Sequence, residues 1–381
     1  MCLTNQSIFL SPPDMSGNEL SYVEQAFQDN WIAPAGAHVD AFEEEIAAFV
    51  GANYGVAVSS GTAGLHLALI AAGVSTGDIV FCQSFTFAAS VNPIIYQRAI
   101  PVLIDSDKET WNMSADLLEE AFKKETAKVK AVVVTHIYGQ VAEMDRIKAL
   151  CSEYGAILIE DACESLGSTY DGKHSGTIGD IGVYSFNGNK IMTTSGGGMV
   201  VTDNFLLANQ MKYLATQSKS QTPYYLHEVV GYNYRLSNIL AGIGRGQLQT
   251  LDKKIAKRRC IFEDYQQAFR GTDIQMMPAD QENVKSNRWL SVILLENHNL
   301  LDVRGFLNDK GIESRLTWNP MHRQPFLRGV SLYKAQEQAV SDQLFAKGLC
   351  LPSGSSLTND EQKRVVEQVI SFCERGKEVP Y

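Results

Sequence analysis

Residues 179–198 read GDIGVYSFNGNKIMTTSGGG, and the parsing of this stretch decides the fold. Ile181–Phe186 is a short apolar run with the look of a strand. It stops at Asn187-Gly188-Asn189, a turn signal. One lysine, Lys190, follows, and a polar, glycine-rich return leads into a second apolar run, Met199-Val200-Val201. A lone lysine in small, polar surroundings between two strands is a candidate Schiff-base nucleophile where the site is enclosed. Read alone, the stretch also describes a surface hairpin carrying a solvated lysine.

On the N-terminal side of this stretch, strands alternate with helices. The pattern predicts helices at about 17–29 and at Val39–Val50, where Val39, Phe42, Ile46 and Phe49 share a face. Strands are expected at Gly55–Ser59, Ile79–Cys82, Ile100–Ile104, Val129–Thr135 and Ala156–Ile159. Between them fall predicted helices at Thr62–Ala72, Ala88–Gln97, Ala115–Lys124 and Met144–Tyr154. Ala131–Val134 is wholly apolar, as in a strand buried on both faces of a parallel sheet. This alternation argues an α/β fold with an open, mostly parallel sheet flanked by helices. From about Ser237 the texture changes: one long helical region at Ile239–Phe269, a strand at Trp289–Leu294, and helices at Leu301–Asp309 and Asp360–Arg375. The chain is therefore divided into an N-terminal segment with a large domain, 1–249, and a smaller C-terminal α+β domain, 250–381. It has no internal repeat and no low-complexity segment.

Composition narrows the class. The 381 residues are 45% hydrophobic and 20% charged, ordinary for globular protein. A net charge of −10 argues against a nucleic-acid partner. The seven cysteines are scattered with no Cys-x-x-Cys spacing, which reads as free thiols in a reducing cytoplasm and no metal site. Met1–Gln6 lacks the charged and apolar regions of a signal peptide, and no apolar run approaches a membrane span.

Three further stretches bear on chemistry. Ser59-Ser60-Gly61-Thr62-Ala63-Gly64 joins a strand to a helix, where small residues and a helix N-terminus suit a phosphate. It is neither a Walker loop nor a Gly-x-Gly-x-x-Gly turn, and an ordinary N-capped helix also explains it. Glu160-Asp161-Ala162-Cys163-Glu164-Ser165 follows a buried strand, where ligands of open α/β sheets bind. Asp161 there is either a carboxylate for a protonated ring nitrogen or a helix cap. Phe85-Thr86-Phe87 follows another strand; Phe87 is either a stacking platform or core. A phosphate cradle, a flat aromatic, a strand-end aspartate and a lone lysine are together what pyridoxal phosphate requires.

At this point the chain resembles the DegT/DnrJ/EryC1/StrS sugar aminotransferases, within the fold-type I pyridoxal-phosphate enzymes. The resemblance spans essentially the whole chain. It is carried by Ser60–Leu69, Glu160–Gly167, Ser185–Lys190, Gly196–Gly198 and Gly231–Ser237. It implies that Lys190 holds the cofactor as a Schiff base and shuttles the proton, that Asp161 pairs with the pyridine nitrogen, and that Glu164 lies near the ring hydroxyl. It implies that Phe87 stacks on the ring, and that Gly61, Thr62 and Ser185 bind phosphate together with Asn233 from across a homodimer interface. Asn187 stands where many members carry His, and Glu164 where many carry His or Gln.

Three segments, Ser11–Met15, Ser286–Leu290 and Trp318–His322, look like the branch acting on UDP-2-acetamido-4-keto-2,6-dideoxy sugars. On that resemblance Arg288 and His322 contact the nucleotide diphosphate, and Asn30 and Trp31 line the sugar pocket. Arg288 also fits a surface ion pair, and Trp289 the core. The expected activity is transfer of the amino group of L-glutamate to C4 of the keto-sugar, in a cytoplasmic homodimer with shared active sites. Within the fold, the alternatives are another carbon or a dTDP- or GDP-linked sugar. Outside it, they are a nicotinamide-dependent sugar oxidoreductase, which lacks its glycine fingerprint here, or a non-catalytic scaffold or sensor.

Overall fold

The central β-sheet places every strand end that matters along one edge. The structure, a computed structural model, describes residues 7–375, so the reading of Met1–Gln6 lies outside the described residues. From one edge to the other the eight strands are Tyr54–Val58, Gly198–Thr202, Ile181–Ser185, Ile157–Asp161, Val129–Thr135, Ile79–Gln83, Ile100–Ile104 and Leu332–Tyr333. Pairing is parallel from Ile181–Ser185 through to Leu332–Tyr333. Gly198–Thr202 alone runs the other way, antiparallel to both its neighbours. The strand Tyr54–Val58 therefore ends on the same side as Ile181–Ser185.

Ala131–Val134 is fully buried, as the run of β-branched residues demands, with apolar clusters on both faces of the sheet. The helix Gly61–Ala71 is buried along most of its length and packs on one face. Its start is fixed by Ser60, whose Oγ accepts the Ala63 N–H at 3.0 Å. Helix Ala37–Val50 ends at Gly51, whose φ of 77° closes the last turn at little steric cost.

Several boundaries differ from the sequence expectation. The strand predicted at Ala156–Ile159 is Ile157–Asp161, because Glu160 and Asp161 continue the ladder opposite Val134 and Thr135. The helix predicted at Ala88–Gln97 is a 3-10 turn, Ala88–Ser90, and a short helix, Asn92–Tyr96, that begins with a proline in its first turn. The long region Ile239–Phe269 is two helices, Asn238–Leu248 and Leu251–Ala268, joined by Gln249 and Thr250.

A four-stranded sheet, Gln275–Met276, Ser291–Leu294, Gly348–Leu351 and Arg315–Leu316, carries the later part of the chain. Its core, which includes Ile261, Tyr265, Val303, Leu307, Val365 and Val369, also takes in Ile8. The exchange runs both ways: Ile8 bridges to Ile312, while Leu332–Tyr333 extends the large sheet. These crossings hold the small sheet against the strand ends of the large one. Among the described residues no helix is long and apolar enough to cross a membrane.

Candidate active site

Four chain reversals along the carboxyl edge of the large sheet, with Trp289, Arg315 and Trp318 from the later part of the chain, line a cavity of about 340 Å³. This is where open α/β sheets bind their ligands. Asp161 closes its strand at the bottom and is buried. Its Oδ2 accepts the Ser90 hydroxyl at 2.6 Å and its Oδ1 the Cys163 N–H at 3.2 Å. Behind Ser90 stand two more buried hydroxyls: Thr86 at 2.7 Å and Thr135 at 3.3 Å, themselves 3.0 Å apart. The single Ser90 proton goes to the carboxylate, so Ser90 Oγ can only accept from the threonines. The cluster is polarised toward Asp161, and each oxygen of the carboxylate keeps acceptor capacity for a further donor.

Lys190 lies on the return between Ile181–Ser185 and Gly198–Thr202. Its N–H donates to Asn187 O at 2.9 Å, and the Thr194 N–H closes the loop on Phe186 O at 2.9 Å. The later part of the chain pins this turn. Asn189 O accepts both the Ser11 hydroxyl and the Trp289 indole N–H, each at 2.8 Å. Lys190 Nζ sits 4.1 Å from the Trp289 ring centroid and 4.0 Å from Glu164 Oε1. A cation against an indole face is held electrostatically without being neutralised. The lysine side chain is only 14% exposed, so the solvated-hairpin reading does not apply.

Glu164 is buried, and its Oε2 accepts the Tyr138 N–H at 2.7 Å. Burial pushes its carboxyl up to about 7, against the Lys190 charge and the Tyr138 hydrogen bond, with the Asp161 charge adding to the rise. A proton near neutrality can therefore rest on Glu164 within reach of the lysine.

The opposite wall is the N-terminus of Gly61–Ala71. Ser60 caps this helix, so the capping reading is correct for Ser60, and Gly61, Thr62 and Ser185 line the cavity beside it. A Cβ on Gly61 would lie 2.7 Å from Cys163 Sγ and 3.1 Å from Ser185 Cβ, so only glycine lets the backbone close in here. Phe87 lines the mouth, 54% exposed, while Phe85 is core. The Phe87 ring centroid is 5.2 Å from that of Trp318.

Of the site residues expected from sequence, the cavity brings together Gly61, Thr62, Phe87, Asp161, Glu164, Ser185, Asn187 and Lys190. Five expected residues do not line it. Arg288 is a correction: it is buried on an ion pair with Asp280 at 2.6 Å, a bond to Pro278 O at 2.8 Å and the face of Phe262 at 3.8 Å. His322 is bound to Ser84 Oγ at 2.8 Å and to Asp342 at 3.2 Å, away from the cavity. Asn30 sits in a left-handed turn with φ 51°, and Trp31 bonds Ala35 O at 2.6 Å; both are exposed outside the cavity. Asn233 is exposed on the segment that bridges to Thr216, also outside the cavity. Sequence reasoning assigned no role to Ser90 or Cys163, and none to Arg315, the second cation of the cavity wall. It read Trp289 as core; the ring is buried and also forms the surface under Lys190.

Pyridoxal 5'-phosphate asks a protein for an amine, an anion cradle, a carboxylate at its ring nitrogen and a flat apolar neighbour. Groups of all four kinds face this one cavity, and Gly61 keeps the cradle open where a side chain would close it. The fold and the site thus define a pyridoxal-phosphate enzyme of the α/β type. Comparison with known proteins carries this further. The chain belongs to the DegT/DnrJ/EryC1/StrS aminotransferase family, whose profile matches residues 13–370. It is 48% identical over 372 residues to EpsN of Bacillus subtilis (strain 168), named as a pyridoxal phosphate-dependent aminotransferase, covering 96% of each chain. It is 37% identical over 363 residues to the GDP-perosamine synthase of Escherichia coli O157:H7, covering 95% of each. Among solved structures it resembles the aminotransferase TlmJ of Streptoalloteichus hindustanus with a TM-score of 0.90 and 28% identity, covering 97% of this chain and 99% of that one.

Proposed function

We propose that this enzyme transfers the amino group of L-glutamate to C4 of a UDP-linked 4-keto-6-deoxy-N-acetylhexosamine. The observation that carries the reading is the Lys190 amine held between the Trp289 ring and the Glu164 carboxyl in a cavity open at Asn187 and Arg315. When bound, pyridoxal phosphate supplies an aldehyde that combines with amines and a ring that withdraws electrons from the bond being broken. The Gly61 backbone with Thr62 and Ser185 would hold its phosphate, Asp161 its ring nitrogen, and Phe87 its face. Lys190 would be the amine that anchors it and the base that takes a proton from the donor's α-carbon. Glu164, with a carboxyl near 7, holds or releases a proton beside that amine. Trp289 and Trp318 keep water from the enclosed side.

The proposal includes a homodimer in which Asn233 serves the partner's cavity. It is supported by Asn233 being exposed and not lining its own cavity, on a stretch where Tyr224, Tyr225, Val229 and Val230 are also exposed. Membership of an aminotransferase family sets aside the nicotinamide-dependent alternative, which leaves Lys190 without a task.

The test is incubation of purified holoenzyme with L-glutamate and UDP-, dTDP- and GDP-linked 4-keto-6-deoxy sugars. Product is read by mass spectrometry and by NMR at C4. A 4-amino sugar formed best from the UDP-linked N-acetyl substrate is the expected result. Best turnover of a GDP-linked sugar, as the name of the perosamine synthase relatives describes for them, refutes the UDP assignment. Amination at another carbon refutes the C4 assignment.

A further inference from the structure

The cavity around Lys190 does not end at the amine. Asn189 and Arg315 line both it and a second cavity, also about 340 Å³, whose other walls include Phe9, Leu10, Pro12 and Pro13. Each lies within the range of about 300–1,000 Å³ typical of small-molecule sites. The N-terminal segment is fixed in this place: Ser11 bonds Asn189 O, and Leu10 N–H donates to Glu313 Oε2 at 2.9 Å. Phe9 is 58% exposed, an aromatic face beside the groove.

Arg315 stands at the junction. It sits on the edge strand Arg315–Leu316, registered opposite Cys350 and Leu349, so its backbone is rigid. Its guanidinium is half exposed and donates to Glu313 Oε1 at 2.8 Å. That is its one hydrogen bond among the described residues, and a guanidinium carries five N–H donors in a planar fork. The remaining donors suit a second oxyanion, bidentate where the anion allows it.

The order along the joined cavities is therefore a reactive amine, a guanidinium with free donors, and an apolar groove with an exposed aromatic. An amino acid as short as glutamate has nothing to put in the groove. We infer that the groove beside Arg315 seats the nucleoside diphosphate portion of the substrate: Arg315 receives the diphosphate, and Phe9 with Pro12 and Pro13 packs on the nucleoside. This rests on the nucleotide-sugar reading above. It also gives the diphosphate a cation in place of Arg288, whose charge is already satisfied by Asp280.

The experiment has two arms. UDP, GDP and dTDP are titrated into the holoenzyme by calorimetry, and the single-turnover reaction with L-glutamate alone is followed by absorbance. At least one diphosphate binds the wild type, and Arg315→Ala weakens it roughly 10- to 100-fold, the loss of a charge-assisted pair. Arg315→Lys recovers part of the binding, because the charge returns without the fork. Phe9→Asp, outside the lining of the amine's cavity and on an exposed side chain, weakens the same ligand by placing an anion in the groove. The glutamate reaction of Arg315→Ala slows by a smaller factor than its diphosphate binding weakens. The inference is overturned where no diphosphate binds the wild type, or where Arg315→Ala leaves binding unchanged. It is also overturned where the glutamate reaction slows as much as diphosphate binding weakens, which makes Arg315 the receptor for the donor's carboxylate. The nucleotide-sugar reading fails separately, in the wild-type product analysis, where no Arg315 variant is used.

Discussion

Glu164 should give the cofactor-free protein a stability that falls between acid and neutral pH. Its carboxyl rises from 4.5 to about 7 because burial outweighs the Lys190 charge and the Tyr138 N–H, with Asp161 adding repulsion. The other titratable groups packed on it, the Tyr138 hydroxyl and the Cys350 thiol, are themselves pushed upward by burial, Cys350 to about 12, and stay neutral. A rise from 4.5 to about 7 corresponds to about 3 kcal/mol against the charged form in the folded state. Below 4.5 the group is protonated folded and unfolded, so it contributes no penalty. As pH climbs from 4.5 to about 7 the unfolded chain gives up the proton first, and stability declines with the folded state binding more protons. Above about 7 the full penalty remains. Glu164→Gln keeps an oxygen to accept the Tyr138 N–H and removes the ionisation. Denaturant unfolding of both proteins from roughly pH 4 to pH 8 should show the variant gaining on wild type by about 3 kcal/mol across the window. Parallel curves for the two proteins would refute the argument.

Three further perturbations separate roles within the site. Lys190→Ala should lose turnover by several orders of magnitude, together with the yellow colour that borohydride fixes on the wild type; a variant that transaminates at the native rate removes the lysine from the chemistry. Ser90→Ala deletes a charge-assisted bond to Asp161 of about 1.5–3 kcal/mol, so kcat should drop roughly 10- to 100-fold and Ser90→Thr should recover much of it. A lowered melting temperature with unchanged kcat would make Ser90 merely structural. Arg288→Ala removes one of the two cations on Asp280, leaving Arg259, and should cost about 1.5–3 kcal/mol in unfolding free energy while KM for the sugar holds. A large rise in KM with native stability would return Arg288 to the substrate.

Much of the large sheet was legible because its strands are short, apolar and separated by ordinary turn signals. Ala115–Lys124, Val129–Thr135 and Met144–Tyr154 fall where the pattern puts them, each being amphipathic or buried along its whole length. The Lys190 turn was legible for a different reason. Asn187-Gly188-Asn189 interrupts an apolar run, and Lys190 is the one cation between the two strands that follow each other in sequence. The break between Asn238–Leu248 and Leu251–Ala268 was not legible: Gln249 and Thr250 are neither glycine nor proline, and Thr250 departs from helical geometry with φ −118° and ψ 8°.

The side chains around Asp161 and Arg315 were hidden by a property of topology. Ser90 and Asp161 are 71 residues apart, and nothing local marks either Thr86, Ser90 or Thr135 as special. They meet because the strands ending at Asp161, Thr135 and Gln83 are consecutive in the sheet, so the turns beyond them are consecutive too. The two arginines show the same limit more sharply. Arg288 and Arg315 are equivalent as sequence, each an arginine shortly before a tryptophan. Arg288 lies in a left-handed turn with φ 52°, which carries its side chain inward to Asp280 and Phe262. Arg315 lies on an edge strand with one exposed carboxylate partner. A buried guanidinium already held by a carboxylate and a carbonyl has few donors left for a substrate, whereas one held by a single exposed glutamate has most of them. The distinction between a cation that stabilises and one that binds thus lies in its partners, and partners are set by strand order.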